Sequence, residues 1–182
     1  VSLVSPTPSP SLTQTVSYVY VNATISDTQT VVSNATLEWN GINETMQLNG
    51  TANGTARFVF INKTSLSDGT YTFRVFSNDS FNNTASASRT VIIDTTAPTI
   101  TFETPTPAND TYTITYVYAN VTITDSLTVV GACTLEWNGV NESMSINSTV
   151  NGTSRFCFIN KTALADGNYT YRVFANDTVN NS

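Results

Sequence analysis

Along residues 18–25, YVYVNATI, side chains alternate one for one: Val19, Val21, Ala23 and Ile25 share one parity, and Tyr18, Tyr20, Asn22 and Thr24 share the other. A period of two belongs to a strand, whose successive side chains point to opposite faces. The same alternation runs through NATLEW, with Ala35, Leu37 and Trp39 against Asn34, Thr36 and Glu38. It returns in YTFRVFSN, with Tyr71, Phe73 and Val75 against Thr72, Arg74, Phe76 and Asn78. β-Branched and aromatic residues dominate these runs, and Asn-Gly and Asp-Gly pairs punctuate them as turns. Six or seven short strands in about 95 residues predict a β-sandwich with the first parity inside.

The pattern occurs twice. At an offset of 98 residues, Thr15–Thr84 and Thr113–Ser182 share 44 identities in 70 positions without a gap, so the chain is a tandem duplication. The linker is DTTAPT, Asp94–Thr99, where Pro98 cannot continue a ladder. The expected units are 1–97 and 98–182, each opening with a proline-marked strand: Pro6, Pro8 and Pro10 in the first, Pro105 and Pro107 in the second.

Trp39 inside LEWNG and Tyr71 inside DGTYTFRVFSND carry a resemblance. A Trp on the third strand and a Tyr just after an Asp-Gly corner resemble the immunoglobulin-like sandwich with its tyrosine corner. The closing RTVIIDTTAPTI is similar to the boundary between tandem Ig-like modules of archaeal and bacterial cell-surface and extracellular filament glycoproteins. The resemblance implies an all-β fold of two tandem Ig-like sandwiches and a surface setting. It implies no ligand.

Composition narrows the function classes. Of 182 residues, 11% are charged, while Ser and Thr number 52 and Asn 21, so polarity rests on neutral hydroxyls and amides. With no histidine, the commonest general base and metal ligand is missing. A net charge of −6 and seven scattered Lys and Arg offer no basic patch for nucleic acid. No apolar run is long enough to span a bilayer as a helix. The start at Val1, without Met, is expected to mark a processed product.

Seventeen asparagines stand in N-x-S/T, where chance would place about six. In the first unit these are Asn22, Asn34, Asn43, Asn49, Asn53, Asn62, Asn78 and Asn82. In the second they are Asn109, Asn120, Asn141, Asn147, Asn151, Asn160, Asn168, Asn176 and Asn180. Asn22, Asn34, Asn78, Asn120 and Asn176 fall on the outward parity of their strands, where a glycan leaves the core closed. N-glycosylation is the expected role, and with acidity and the surface resemblance it suggests an archaeal exterior.

Cys133 and Cys157 replace Ala35 and Val59 of the first unit. Cys133 shares the inward parity of Leu135 and Trp137, so a bridge through the sandwich is expected, with two free buried thiols as the other reading.

Chemistry is sparse. Glu38 and Glu44, with Glu136 and Glu142, are the only carboxylates that imitate a glycosidase pair, and outward parity makes them surface charges. Asp79 and Asp177 could ligate calcium, but without a dense acidic array a turn-stabilising role is preferred. Lys63 and Lys161, next to sequon asparagines, are expected to be exposed. No catalysis, cofactor or metal is expected. Tyr18, Tyr20, Phe58, Phe60, Phe76, Phe156, Phe158 and Phe174 fall on outward parities, and such aromatics read as an interface.

After Thr84 the first unit continues with a final strand, ASASRTVIID, while the second ends at Ser182, the position equivalent to Thr84. An uncovered strand is an open edge. Three readings follow: a window from a longer array, a domain tolerating the gap, or an edge filled by Val1, Ser2, Leu3, Val4 and Ser5 of the next copy. The last gives head-to-tail polymerisation. The other placement for those residues is the opening strand of their own unit, as Ile100–Glu103 would open the second. The expected function is a glycosylated extracellular subunit of a surface filament, sheath or S-layer, with copies of itself as partners. An adhesin stalk or carbohydrate-binding ectodomain is the alternative.

Overall fold

The computed structural model describes residues 1–49, 56–147 and 153–182. It divides into two units, Val1–Thr95 and Thr96–Ser182, so the boundary falls two residues ahead of the one expected after residue 97.

Unit 1 contains β1 (Ser2–Val4), β2 (Leu12–Gln14), β3 (Val19–Ser26), β4 (Val32–Trp39), β5 (Ile42–Thr45), β6 (Gln47–Asn49), β7 (Ala56–Lys63), β8 (Gly69–Asp79) and β9 (Thr84–Ile93). One sheet has the order β1-β3-β7-β6 and the other β2-β9-β8-β4-β5. In immunoglobulin letters these are A-B-E-D and a C-F-G sheet widened at both edges. The count exceeds the expected six or seven because β1, β2, β5 and β6 span only three or four residues. Runs that short show no alternation to read.

Unit 2 contains β10 (Thr99–Phe102), β11 (Val117–Thr124), β12 (Val130–Trp137), β13 (Val140–Ser143), β14 (Ser145–Asn147), β15 (Ser154–Lys161) and β16 (Tyr171–Asp177), in sheets β10-β11-β15-β14 and β13-β12-β16. Among the described residues β16 pairs with β12 alone, whereas its counterpart β8 pairs on its other side with β9, from Gly69↔Ile93 to Asn78↔Thr84. The consequence is thermodynamic. Phe73, Val75 and Ser77 of β8 are 2%, 0% and 4% exposed, while Tyr171, Val173 and Ala175 of β16 are half-buried. No described strand of unit 2 matches β2, whose ladder partner in unit 1 is β9.

The expected parities form the core. Val19, Val21 and Ala23 of β3, Ala35, Leu37 and Trp39 of β4, Val59 of β7 and Val91 and Ile93 of β9 are buried together. Trp39 stacks on Phe73 at 5.6 Å between ring centroids, and Trp137 on Tyr171 at 5.6 Å. Tyr71 donates its hydroxyl hydrogen to the Ser67 carbonyl at 2.8 Å, and Tyr169 to that of Ala165 at 2.9 Å, so each unit has a tyrosine corner. Asn40 and Gly41 (φ 47° and 84°) turn β4 into β5, as Asn138 and Gly139 (49° and 82°) turn β12 into β13. Both residues of this hairpin turn need positive φ, which Asn and Gly adopt at low cost.

Of the two places read for Val1–Ser5, a neighbour's open edge or the opening strand of its own unit, the chain by itself shows the second. β1 pairs antiparallel with β3 from Ser2↔Thr24 to Val4↔Asn22, and Val1 and Leu3 pack against the unit 1 core. Period-two side chains bring these two apolar groups to the same inner face. Beyond β1, the Thr7 hydroxyl donates to the Asn22 carbonyl at 2.8 Å and accepts from its N–H at 2.7 Å. Thr106 and Asn120 repeat this clamp beside β10.

Candidate functional site

The outer face of the β1-β3-β7-β6 sheet holds five of the sequence-predicted surface residues, Tyr20, Asn22, Phe58, Phe60 and Asn62. The β3–β7 register sets Tyr20 opposite Asn62, Asn22 opposite Phe60 and Thr24 opposite Phe58. On β11 and β15 it sets Tyr118 opposite Asn160, Asn120 opposite Phe158 and Thr122 opposite Phe156. Asparagines and aromatics thus form a checkerboard on each unit. Directly opposed side chains lie about 5 Å apart at Cβ.

Sequon asparagines are accessible at most positions. Asn34, Asn43, Asn62 and Asn82 of unit 1 are exposed, as are Asn109, Asn141, Asn147, Asn160, Asn168 and Asn180 of unit 2. Asn22, Asn78, Asn120 and Asn176 are half-buried on outward faces. Asn53 and Asn151 lie outside the described residues, as does the Asn49 side chain. Exposure alone does not separate sequons from other asparagines, since Asn40 and Asn138 outside any sequon are exposed as well.

The eight aromatics all lie on outward faces but differ in accessibility. Tyr18, Tyr20 and Phe158 are each 38% exposed and Phe174 44%, while Phe58, Phe60, Phe76 and Phe156 are half-buried. Six of them pair along the strands: Tyr18 with Tyr20 at 4.9 Å and Phe58 with Phe60 at 6.5 Å in tilted contacts, and Phe156 with Phe158 at 6.2 Å in a stack.

On the second sheet of unit 1, Asn34 lies directly opposite Asn78, and Asn78 Nδ2 donates to Asn82 Oδ1 at 3.2 Å. A shallow open groove continues down β8 from there, lined by Phe76, Arg74, Glu38, Thr84, Ala85 and Ser86. Arg74 lies over the Phe76 ring and donates to Ser86 Oγ at 3.0 Å. Sequence reasoning missed this groove, because Ser86 reaches it only through β8–β9 pairing.

Among the described residues three of the four candidate glutamates are paired, and Glu38 is not, since the Arg74 opposite it donates to Ser86 instead. Glu136 accepts two hydrogen bonds from Arg172 at 3.0 and 2.9 Å. Glu44 pairs with Lys63 and Glu142 with Lys161. The two lysines were expected to be exposed and are not. Their side chains are 20% and 18% exposed, lying over the Trp39 and Trp137 rings at 5.6 and 5.5 Å. A lysine stem covers apolar surface while its ammonium meets a carboxylate, so strand parity alone misjudges it.

Asp79 and Asp177 organise turns. Asp79 Oδ1 accepts the N–H groups of Phe81 and Asn83 at 2.8 and 2.9 Å, and Oδ2 accepts Asn83 Nδ2 at 2.8 Å. Those bonds, the Asn83 side chain first, hold its carboxyl below the usual aspartate range. Burial pushes Asp177 up, but bonds from Asn181, Thr128 and Val179 outweigh it and the net direction is down. Thr30 Oγ1 bridges Asp27 and Asp79 at 3.0 and 2.9 Å, and Thr128 does the same for Asp125 and Asp177. The recurring D-x-x-T spacing carried this signal in the sequence.

Cys133 of β12 and Cys157 of β15 form a disulfide, with Cα atoms 6.5 Å apart. It joins the two sheets at C and E positions, unlike the B–F bridge of antibody domains. Disulfides and this sandwich are typical of extracellular domains. No described helix is long and apolar enough to cross a membrane.

No protein-family model matches the chain, and no curated protein matches it. Among solved structures it is similar to the fibronectin(III)-like modules of Clostridium thermocellum CbhA, at 15% identity over 98% of this chain and 86% of that one, with a TM-score of 0.42. The titin domains z1z2, solved in complex with telethonin, are 14% identical over 98% of this chain and 91% of theirs, with a TM-score of 0.37. Dimeric latent PorU from Porphyromonas gingivalis is 13% identical over 97% of this chain but only 18% of its own, with a TM-score of 0.44. The sheet order itself identifies each unit of the chain as an immunoglobulin-like β-sandwich.

Proposed function

We propose that the chain is a non-enzymatic structural module of an extracellular surface polymer of filament, sheath or S-layer type, coated with N-linked glycans. The supporting observation is the recurrence of sequon asparagines at equivalent outward positions of both units, Asn22 and Asn120, Asn62 and Asn160, Asn78 and Asn176. Repetition on two sandwiches suits a shielded scaffold, whereas a single ligand site needs convergent groups in one place. An archaeal exterior is the setting that accords with the sequon density and acidity. A sugar coat would also keep a surface with only 11% charged residues in solution.

Subunits would join by strand addition at the outer edge of β16, beside half-buried Val173 and Ala175. The donor on this reading is Val1–Ser5 of a neighbouring copy, released from its own β3. The second reading, a stalk in a longer array of such modules, is favoured by the same edge, since a following strand of the β9 type would complete the sheet.

Electron microscopy of the native glycosylated material tests the proposal together with mass spectrometry of intact glycopeptides. Filaments, sheets or tubes with sugar on both units are expected. Dispersed single particles at micromolar concentration would exclude the polymer. Deleting residues 1–5 is expected to abolish assembly with both thermal transitions retained, and unchanged assembly would exclude that donor.

A further inference from the structure

Tyr20, Phe60, Phe76, Tyr118, Phe158 and Phe174 share more than an outward parity. Each stands two residues before a sequon asparagine: Asn22, Asn62, Asn78, Asn120, Asn160 and Asn176 respectively. Inside a strand, positions i and i+2 lie on one face about 6.5–7 Å apart, and all six pairs lie in strands: β3, β7, β8, β11, β15 and β16.

The placement follows structure rather than composition. Among the described residues, seven sequon asparagines fall in strands of seven residues or more, and six have an aromatic at this spacing. The seventh, Asn34, has Val32 there, and its counterpart in unit 2 is Ala132, outside any sequon. None of the remaining ten sequons, in short strands, loops or outside the described residues, has an aromatic two residues before it. On the first sheet the register supplies a second ring as well, setting Phe60 across from Asn22 and Tyr20 across from Asn62.

A pyranose has an apolar face of slightly positive C–H groups, and an aromatic ring has a negative face, so the two attract when stacked. We propose that these six rings are non-covalent seats for the first sugar of the glycan carried by the asparagine that follows. The inference rests on the glycosylation reading above and reassigns these aromatics from contacts between subunits to contacts with the protein's own sugars. At Asn78 the geometry extends further: beyond Phe76 the groove offers Arg74, Glu38 and Ser86 as hydrogen-bonding partners for a following sugar. The Asn78 amide keeps a hydrogen for the linkage, because among the described residues it donates one bond, to Asn82 Oδ1.

The test is a double-mutant cycle on the full, natively glycosylated chain, crossing Phe60→Leu and Phe158→Leu with Asn62→Gln and Asn160→Gln. Leu retains apolar bulk and strand compatibility while removing the ring. Calorimetry reads the thermal midpoints, and intact glycopeptide mass spectrometry reads occupancy. Removing the two glycans is expected to lower the midpoints by about 4 °C or more with the rings present, and by far less in the Leu background. Upfield-shifted sugar ring protons at these sites would accompany the stacking. Equal midpoint losses in both backgrounds, with full occupancy, would overturn the seat while leaving glycosylation intact. Absence of sugar from all six asparagines in native material would overturn the glycosylation reading and the seats with it. If the Leu variants instead lose self-assembly while the cycle stays additive, the rings are subunit contacts and the proposal fails.

Discussion

The Tyr171 hydroxyl donates to the Pro107 carbonyl at 2.9 Å, a bond its unit 1 counterpart, Phe73, cannot make. Unit 1 holds the corresponding carbonyl, that of Pro8, with Arg89 of β9, which pairs across from Phe73. Where β9 has no described equivalent, a hydroxyl on the neighbouring strand takes over the contact. Tyr171→Phe is expected to destabilise unit 2 by about 1 kcal/mol, a fall of roughly 4–8 °C in its midpoint. Burial first, and Tyr112 second, raise the Tyr171 pKa. The unfolded chain therefore releases this proton before the folded one, and stability falls as pH rises past the ordinary tyrosine range. Calorimetry above pH 10 should show that part of the alkaline loss missing in the variant.

The two units contain their own comparison for the disulfide. Cys133→Ala with Cys157→Val installs the unit 1 residues, Ala35 and Val59, in unit 2. The bridge spans a sequence separation of 24, and removing it is expected to cost unit 2 about 3 kcal/mol. Two resolved thermal transitions, of which only one shifts on reduction or in the double variant, would bear this out.

Acid sensitivity should trace to the turn aspartates. The pKa values of Asp79 and Asp177 are depressed in the folded chain, so the unfolded state binds protons first as pH falls. Their stabilisation is complete above the ordinary aspartate range and is lost as pH drops through the depressed folded values. Asp79→Asn and Asp177→Asn are expected to lower both midpoints at pH 7 and flatten their decline below the ordinary aspartate range, about pH 4. Parallel acid limbs in parent and variants would assign the sensitivity elsewhere.

The β16 edge should accept a strand. In unit 1 residues 84–93 pair with β8, and seven of the ten β8 residues in that ladder recur identically at the unit 2 positions 167–176, so a peptide of residues 84–94 is a suitable strand. Titrating this peptide is expected to raise the unit 2 midpoint in a concentration-dependent way. A scrambled peptide of the same composition should leave it unchanged.

Asn34 and Asn78 crowd one another. Directly opposed residues have Cβ atoms about 5 Å apart, too close for two full glycans to leave the sheet side by side. Glycopeptide mapping is expected to find one of them underoccupied, with occupancy rising when the other is changed to Gln.

Alternation, hairpin dipeptides and the 98-residue repeat determined the strands, their inner faces and the duplication, because side-chain period and turn chemistry are local. Cys133 and Cys157 paired as their parity indicated, and Trp39 and Tyr71 took their core and corner positions. Three-residue strands such as β2 and β6 were illegible, since they exist only through pairing with β9 and β7. The partial covering of Lys63 over Trp39, the groove beside Phe76 and the pairing of Ser2–Val4 with β3 likewise needed the fold. Sequence spacing placed Phe60 two residues before Asn62, but only the β3–β7 register brought Tyr20 across from that asparagine. Such register is set by contacts among residues tens of positions apart, which no local pattern encodes.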